Sequence, residues 1–406
     1  MHTHRPPSFG RIALLILCAL IQWGCISGEN SSSADSSGTA APAVTSPPPI
    51  TGVIAPPAAS VPDAPLDGEP TDGISTAPGG TGNEPAEGPD SGIDPEEPAR
   101  KRNPGHYIAL NDWDGDTQLI QAVRPGVTGI HKRYPWADLE PEFGVYDFSR
   151  IEADLALAGD HGMRFVIMIE DKSFTMDVKR TPSYLHDGYT LPYTHGGWVA
   201  KRWDPWVLER LALLTRALGE RFDDHPWLEG VAFQETAMGF TPQIQAAHGY
   251  TPEKYRDAII QMLIATRSHF PRSQVFWYMN YLEGRQAYLG DVAEAVADHD
   301  IAMGGPDILP DSWPLNFHTY PLYDRFKGRM TLFNSVQYDS YQHAHLDPDA
   351  ATTYWTPEEL FIFARDRLHL NYMFWTRKPQ RDPPDSYNWL DALPVIAANP
   401  SLRPSP

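Results

Sequence analysis

Five carboxylates stand where short apolar runs stop, and carboxylates placed in that way can do acid–base work. Glu235 ends the run Gly230-Val231-Ala232-Phe233-Gln234, Glu170 and Asp171 end the run from Met163, Asp307 follows Gly304-Gly305-Pro306, and Asp339 lies just past Phe333-Asn334-Ser335-Val336. Cleavage of an acetal C–O bond needs two such groups flanking it. One is protonated, to donate to the leaving oxygen; the other is ionised, as nucleophile or as base for water. Environment separates the roles: apolar or anionic surroundings raise one pKa, while hydrogen bonds and cations keep the other group charged. Strand alternation narrows the choice. If Glu235 points to an open mouth, Phe233 and Val231 lie below it in the interior; Gln337 and Asp339 share one face of their run, and Glu170, Met168 and Val166 share another. On this reading Glu235 is the proton donor, Asp339 the second carboxylate and Glu170 its reserve. Each also has a plainer role. Glu235 could cap a loop or pair with a base, Asp339 could orient Tyr341, Glu170 and Asp171 could pair with Lys172 or Arg133, and Asp307 could be turn chemistry.

Those carboxylates need a scaffold that collects strand ends at one place. From Gly105 onward, apolar runs alternate with helical segments, as in a parallel sheet with crossover helices. The predicted strands are His106–Asn111, Gly126–Tyr134, Met163–Glu170, Trp227–Glu235, Gln274–Asn280, Ile301–Asp307, Met330–Asp339 and Asn371–Thr376. Asp204-Pro205, Thr251-Pro252 and Thr356-Pro357 each pair an N-cap with a proline at the first helical position. Eight such alternations in about 300 residues predict an α/β fold, a (β/α)8 TIM barrel, whose chemistry sits at the carboxyl ends of its strands. A doubly wound open sheet is the alternative.

The first hundred residues differ in kind. Residues 1–25 combine Arg5 and Arg11 with the apolar core Ile12–Ile21, which predicts a secretory leader too short to span a bilayer. Gly24-Cys25 resembles the lipobox of bacterial lipoproteins, although Gln22 and Trp23 depart from it; the resemblance implies an exported protein with a lipid anchor at Cys25, at the outer membrane or cell surface, or otherwise periplasmic or secreted. Residues 26–103 are rich in Pro, Gly, Ser and Ala, with 12 acidic side chains and no basic one before Arg100, a composition that predicts an extended tether rather than a core. Residues 104–402 then form the barrel domain. Cys18 and Cys25 are the only cysteines, so the domain has no disulfide and no thiol nucleophile. With 27 basic and 40 acidic side chains from Gly105 on, it is a poor nucleic-acid partner. Phosphate-loop, dinucleotide and Gly-x-Ser-x-Gly fingerprints are missing, so no cofactor is expected. His343-Ala344-His345 with Asp347 and Asp349, and Asp112-Trp113-Asp114-Gly115-Asp116, look weakly like cation loops, but neither has a full ligand pattern, and no metal is expected.

Arg133-Tyr134-Pro135-Trp136, then Glu140-Pro141, Gly144-Val145-Tyr146-Asp147-Phe148, a helix, and Gly162-Met163-Arg164 leading into a strand together resemble the retaining glycoside hydrolases of clan A. The resemblance covers about forty residues. It implies a (β/α)8 barrel, a carbohydrate substrate, an acid/base at the end of strand four (here Glu235) and a sugar-stacking Trp at the end of strand eight (here Trp375). The family's nucleophile, a Glu ending strand seven, has no counterpart: Asp339 serves, or Gln337 fills the slot with a different mechanism, or the protein binds without cleaving. Twelve Trp and 18 Tyr supply flat surfaces for sugar rings. Trp136, Tyr278, Trp313 and Trp375 are placed around the cleft, although core packing is the commoner fate of such residues. His131, Arg133, Asn280 and Gln337, with Asp307, are the candidates for hydroxyl contacts. A glycoside hydrolase acting as a monomer is the favoured reading; a carbohydrate-binding barrel without turnover, or a lyase or transglycosidase on the same scaffold, stands behind it.

Overall fold

The computed structural model describes residues 99–406 except 111–115, 195 and 404. The leader, Cys25, the tether to residue 98 and most of the Asp112–Asp116 segment lie outside the described residues. Among the described residues there are ten strands: β1 (Gly105–Leu110), β2 (Val127–Pro135), β3 (Arg164–Glu170), β4 (Thr190–Tyr193), β5 (Gly197–Ala200), β6 (Leu228–Phe233), β7 (Gln274–Tyr278), β8 (Ile301–Gly305), β9 (Leu332–Val336) and β10 (Tyr372–Thr376). Eight of them close a parallel barrel in the order β1-β10-β9-β8-β7-β6-β3-β2, and β2 returns to β1. These are the eight runs expected from the sequence, the first two shifted by one residue and the other six shortened. The antiparallel hairpin β4–β5, inserted between β3 and the helix Pro205–Phe222, carried no alternating signal long enough to be seen.

Alternation divides each barrel strand between two cores. Tyr107, Val166, Met168, Ala232, Phe276, Tyr278, Ala302, Phe333, Tyr372 and Phe374 fill the interior. Their neighbours, among them Ile108, Ile167, Val231, Phe233, Val275 and Trp375, face the surrounding helices. The interior is aromatic: Phe276 meets Phe333, Tyr372 and Phe374 edge-on at 5.2–5.5 Å. Glycine makes room for these rings. A Cβ on Gly304 would lie 2.5 Å from the Phe333 ring, and one on Gly230 would lie 2.8 Å from Phe276 and 2.2 Å from the Gln274 carbonyl. This register corrects the sequence expectation for the fourth barrel strand. Val231 and Phe233 pack outward, so the inward series of β6 is Gly230, Ala232 and Gln234.

The helices begin as their sequences dictate. The Asp204 side chain accepts from Trp206 N–H, that of Thr251 from Lys254 N–H, and Thr356 forms a reciprocal box with Glu359, each followed by proline. The amino-terminal floor of the barrel is closed by Glu229, which accepts from Asn103 and from the Tyr372 hydroxyl at 2.6 Å. Chemistry is therefore left to the opposite, carboxyl-terminal mouth.

Candidate active site

The mouth is a layer of charged side chains above the aromatic interior. Two residues form its base. His131 is inward on β2, its ring 5.0 Å from Phe374 and 6.0 Å from Tyr278. Both of its nitrogens are buried without a partner, and burial, with Arg133 nearby, lowers its pKa to about 3. It is a neutral imidazole at physiological pH. Tyr278 is also buried, its hydroxyl 3.3 Å from Ser335 Oγ. Both sequence candidates thus support the site from below.

Glu235 stands just beyond the end of β6, where the chain has left the strand. Its Oε1 accepts from Lys172 Nζ at 2.9 Å and its Oε2 from Asn280 Nδ2 at 2.6 Å. Arg202 donates to its carbonyl at 2.5 Å. Burial pushes the carboxyl up, but the Lys172 charge, the Asn280 amide, the Lys172 hydrogen bond and the Arg202 charge outweigh it, and the net pKa falls below the ordinary glutamate value. Glu235 is therefore ionised. Such surroundings favour the ionised form, whereas a proton donor needs surroundings that favour the neutral one.

Asp307, two residues past β8, has the opposite environment. Burial, followed by the negative charges of Glu235 and Asp339, raises its pKa well above the usual aspartate value, and Arg133 only partly opposes them. Among the described residues none donates a hydrogen bond to its carboxyl; its carbonyl accepts from the Tyr320 hydroxyl. An edge of the residue still reaches solvent. Asp339 is not on the face of a strand, since β9 ends at Val336 and residues Tyr338–Tyr341 form one helical turn. It is half-buried, and burial raises its pKa against the Lys378 charge and a hydrogen bond from Gln342. Gln337 opens that turn, its N–H donating to Ser340 Oγ at 3.1 Å. Glu170 ends β3 facing inward, 3.1 Å from Arg180, 3.9 Å from Arg133 and 3.4 Å from the Gln234 amide. It is a buried, paired group.

Two aromatic candidates are elsewhere. Trp136 is fully buried behind β2, its indole N–H donating to Glu140 at 2.9 Å. Trp375 is outward on β10, its N–H donating to His106 Nδ1 at 3.0 Å. Neither lines the cleft. Trp375 is one residue from an inward position of β10 and so belongs to the helix-facing core, whereas Trp136 lies past the end of β2 and opens the short helix Trp136–Leu139. Trp313, by contrast, is exposed at the start of the helical segment after β8. Sequence reasoning missed Gln234, which receives the Asp171 and Lys172 N–H groups at 2.9 and 2.7 Å, and the Arg202–Asp171 pair, bidentate at 2.7 and 2.6 Å. Of the two partners expected for Glu170 and Asp171, Arg133 meets Glu170 at 3.9 Å, while Lys172 pairs with Glu235. Among the described residues no group of three or more His, Cys, Asp or Glu is arranged to hold a metal ion.

No family model and no curated protein matches this chain. Solved structures similar to it include an exo-β-1,4-mannosidase, Op5Man5, from Opitutaceae bacterium strain TAV5, with TM-score 0.47 and 15% identity over 75% of this chain and 61% of that one. A β-galactosidase from Bacillus circulans sp. alkalophilus gives 0.48 and 10% over 73% and 56%, and endo-glycoceramidase II from Rhodococcus sp. gives 0.44 and 12% over 73% and 80%. The chain spans 61% and 56% of the length of the first two. At such identities and scores the likeness bears on neither substrate nor mechanism. The closed barrel of eight parallel strands stands on the chain's own pairing.

Proposed function

We propose that the barrel hydrolyses glycosidic bonds of a poly- or oligosaccharide, with Asp307 as proton donor and Glu235 as the ionised partner. One observation carries this reading: two carboxyls at the same mouth whose surroundings drive their protonation apart, Glu235 clamped by Lys172 and Asn280, and Asp307 kept neutral by burial and by its anionic neighbours. Asp307 protonates the glycosidic oxygen, and the leaving sugar departs with the bonding pair. If Glu235 attacks the anomeric carbon, a water activated by Asp307 then displaces the Glu235 carboxylate from that carbon and leaves its proton on Asp307; if Glu235 instead takes a proton from the attacking water, the hydroxyl ends on the anomeric carbon and the proton passes through solvent to Asp307. The charge of Asp339 reinforces the proton on Asp307, and Arg133 and Asn280 are positioned for hydroxyl contacts. Reducing-sugar release from a glycan panel tests the reading. Wild type should release sugar from at least one member and Glu235→Gln from none.

A second reading is favoured by a specific pair of facts: both Glu235 oxygens are already occupied, and Gln337 stands where a strand-seven acid would. It is a barrel that binds carbohydrate without turnover. Saturable glycan binding with no product from any panel member would select it. The leader, the lipidated Cys25 and the acidic tether would hold either protein, as a monomer, at an envelope surface.

A further inference from the structure

The rim beside Glu235 departs from the acidic character of the molecule as a whole. A depression of about 670 Å³ opens between the loops that follow β7 and β8, lined by Tyr281, Arg285, Gln286, Phe317, His318 and Arg325 among others, and none of its lining residues is acidic. The chain as a whole carries a formal charge of −20. Arg285 is exposed, and among the described residues no carboxylate lies within 4 Å of its guanidinium, which rests over the Tyr288 ring at 5.1 Å. Arg325 spends Nη2 on Glu294 at 2.8 Å, while Nη1 lies toward Gly290 on the wall of the depression. One guanidinium is thus held by the Tyr288 ring and a longer-range attraction to Glu253 with no direct ion pair, and another is half committed.

Aromatic surface adjoins these cations. Tyr281, Phe317 and Trp313 are 47%, 63% and 64% exposed. The Trp313 and Phe317 rings stack at 5.1 Å and 12°, with His318 edge-on to Phe317 at 4.8 Å. Large exposed aromatic surface in a folded domain marks a contact site more often than an accident. Flat rings suit the C–H face of a pyranose, and a guanidinium fork suits a planar carboxylate or a sulfate. The depression also joins the mouth. Tyr281 directly follows Asn280, whose amide holds Glu235, and the Tyr281 carbonyl accepts from Thr236 Oγ1 at 2.9 Å.

We propose that this rim is a subsite for a sugar unit bearing a carboxylate or a sulfate, in a glycan whose neighbouring units pass over Asn280 toward Glu235. That the glycan is then cut rests on the glycosidase reading; that it binds here does not. The test uses full-length protein in affinity electrophoresis through gels containing a polyuronate, a sulfated glycan, or the neutral polymers mannan and galactan. Retardation should occur with at least one anionic polymer, weaken as salt is raised, and persist in Glu235→Gln. Because Arg285 and Phe317 are exposed, Arg285→Gln and Phe317→Ala should fold normally and raise the apparent Kd, the first roughly tenfold or more for the loss of a charge-assisted contact and the second roughly threefold to tenfold for the loss of a stacking face. Retention by the polyuronate alone or the sulfated polymer alone identifies the anion and supports the subsite. Binding to neutral polymers as tight as to anionic ones, or anionic binding unchanged in Arg285→Gln, overturns it. If an anionic glycan is hydrolysed with KM unaltered by Arg285→Gln, the subsite is wrong and the glycosidase stands. If Arg285-dependent binding occurs without turnover, the subsite stands and the glycosidase falls.

Discussion

Replacing the two mouth carboxyls by their amides should shift stability in opposite directions. Glu235→Gln leaves the Lys172 ammonium, buried at 4% exposure, facing a neutral amide at 2.9 Å. Removing one partner of a buried pair outright costs about 3–5 kcal/mol. Glutamine keeps the shape and one acceptor oxygen, so the loss is closer to the gap between charged and neutral hydrogen bonds, on the order of 1–3 kcal/mol. For a domain of this size that is a fall in Tm of roughly 2–10 °C. Asp307→Asn should do the reverse. The carboxyl is raised, so folded protein holds a proton that the unfolded chain gives up once pH exceeds about 3.9. Its contribution to wild-type stability is complete below that pH and is lost as pH rises toward the folded pKa, at about 1.4 kcal/mol per pH unit. Asparagine has no proton to lose, so its advantage over wild type should grow with pH across that window. Urea unfolding at pH 4, 5.5, 7 and 8.5, with m unchanged, reads both effects. Equal destabilisation by both variants, or a pH-independent difference for Asp307→Asn, would refute the charge assignment.

Other consequences are independent of that pair. His131 should keep a neutral imidazole NMR signature between pH 5 and 8, since its pKa is lowered to about 3; a titration near 6.5 would mean that the ring is hydrated. Trp136→Ala should cost about 3–5 kcal/mol in urea unfolding, while Trp136→Phe should leave glycan affinity unchanged, because the ring lies behind β2 and not in the cleft. Arg202→Met strips Asp171 of a bidentate partner and should destabilise by about 3–5 kcal/mol, measured the same way. Gly230→Ala should give insoluble or unfolded protein, since its Cβ would meet the Gln274 carbonyl at 2.2 Å.

Where the sequence was legible, it was so for physical reasons. Eight buried runs separated by capped helices leave few topologies, and Asp204-Pro205, Thr251-Pro252 and Thr356-Pro357 mark their helix starts by side-chain chemistry that acts within one turn. The positions of Glu235, Asn280 and Asp307 at one mouth follow from the barrel alone. What failed was inward-versus-outward registration near strand ends. Glu235 was assigned the parity of Val231 and Phe233, but β6 stops at Phe233, and beyond a strand the period of two no longer governs. Asp339 was misjudged in the same way, as a strand residue when it lies in a helical turn. Residue type alone misplaces Trp375, whose burial parity decides, and Trp136, which lies in a short helix beyond β2. The roles of the carboxyls were not legible at all. They depend on Lys172, 63 residues before Glu235 in sequence, and on the convergence of Glu235, Asp307 and Asp339.

Leaving-group dependence tests most directly whether Asp307 donates the proton while Glu235 acts ionised. Rates of wild type, Asp307→Asn and Glu235→Gln are compared on a natural linkage and on the matching dinitrophenyl glycoside, whose departure needs no acid. Asp307→Asn should lose about 10²–10⁴-fold on the natural linkage and little on the activated one, whereas Glu235→Gln should lose heavily on both. The opposite pattern, with activated substrate still cleaved by Glu235→Gln and not by Asp307→Asn, would return the donor role to Glu235 and contradict the assignment.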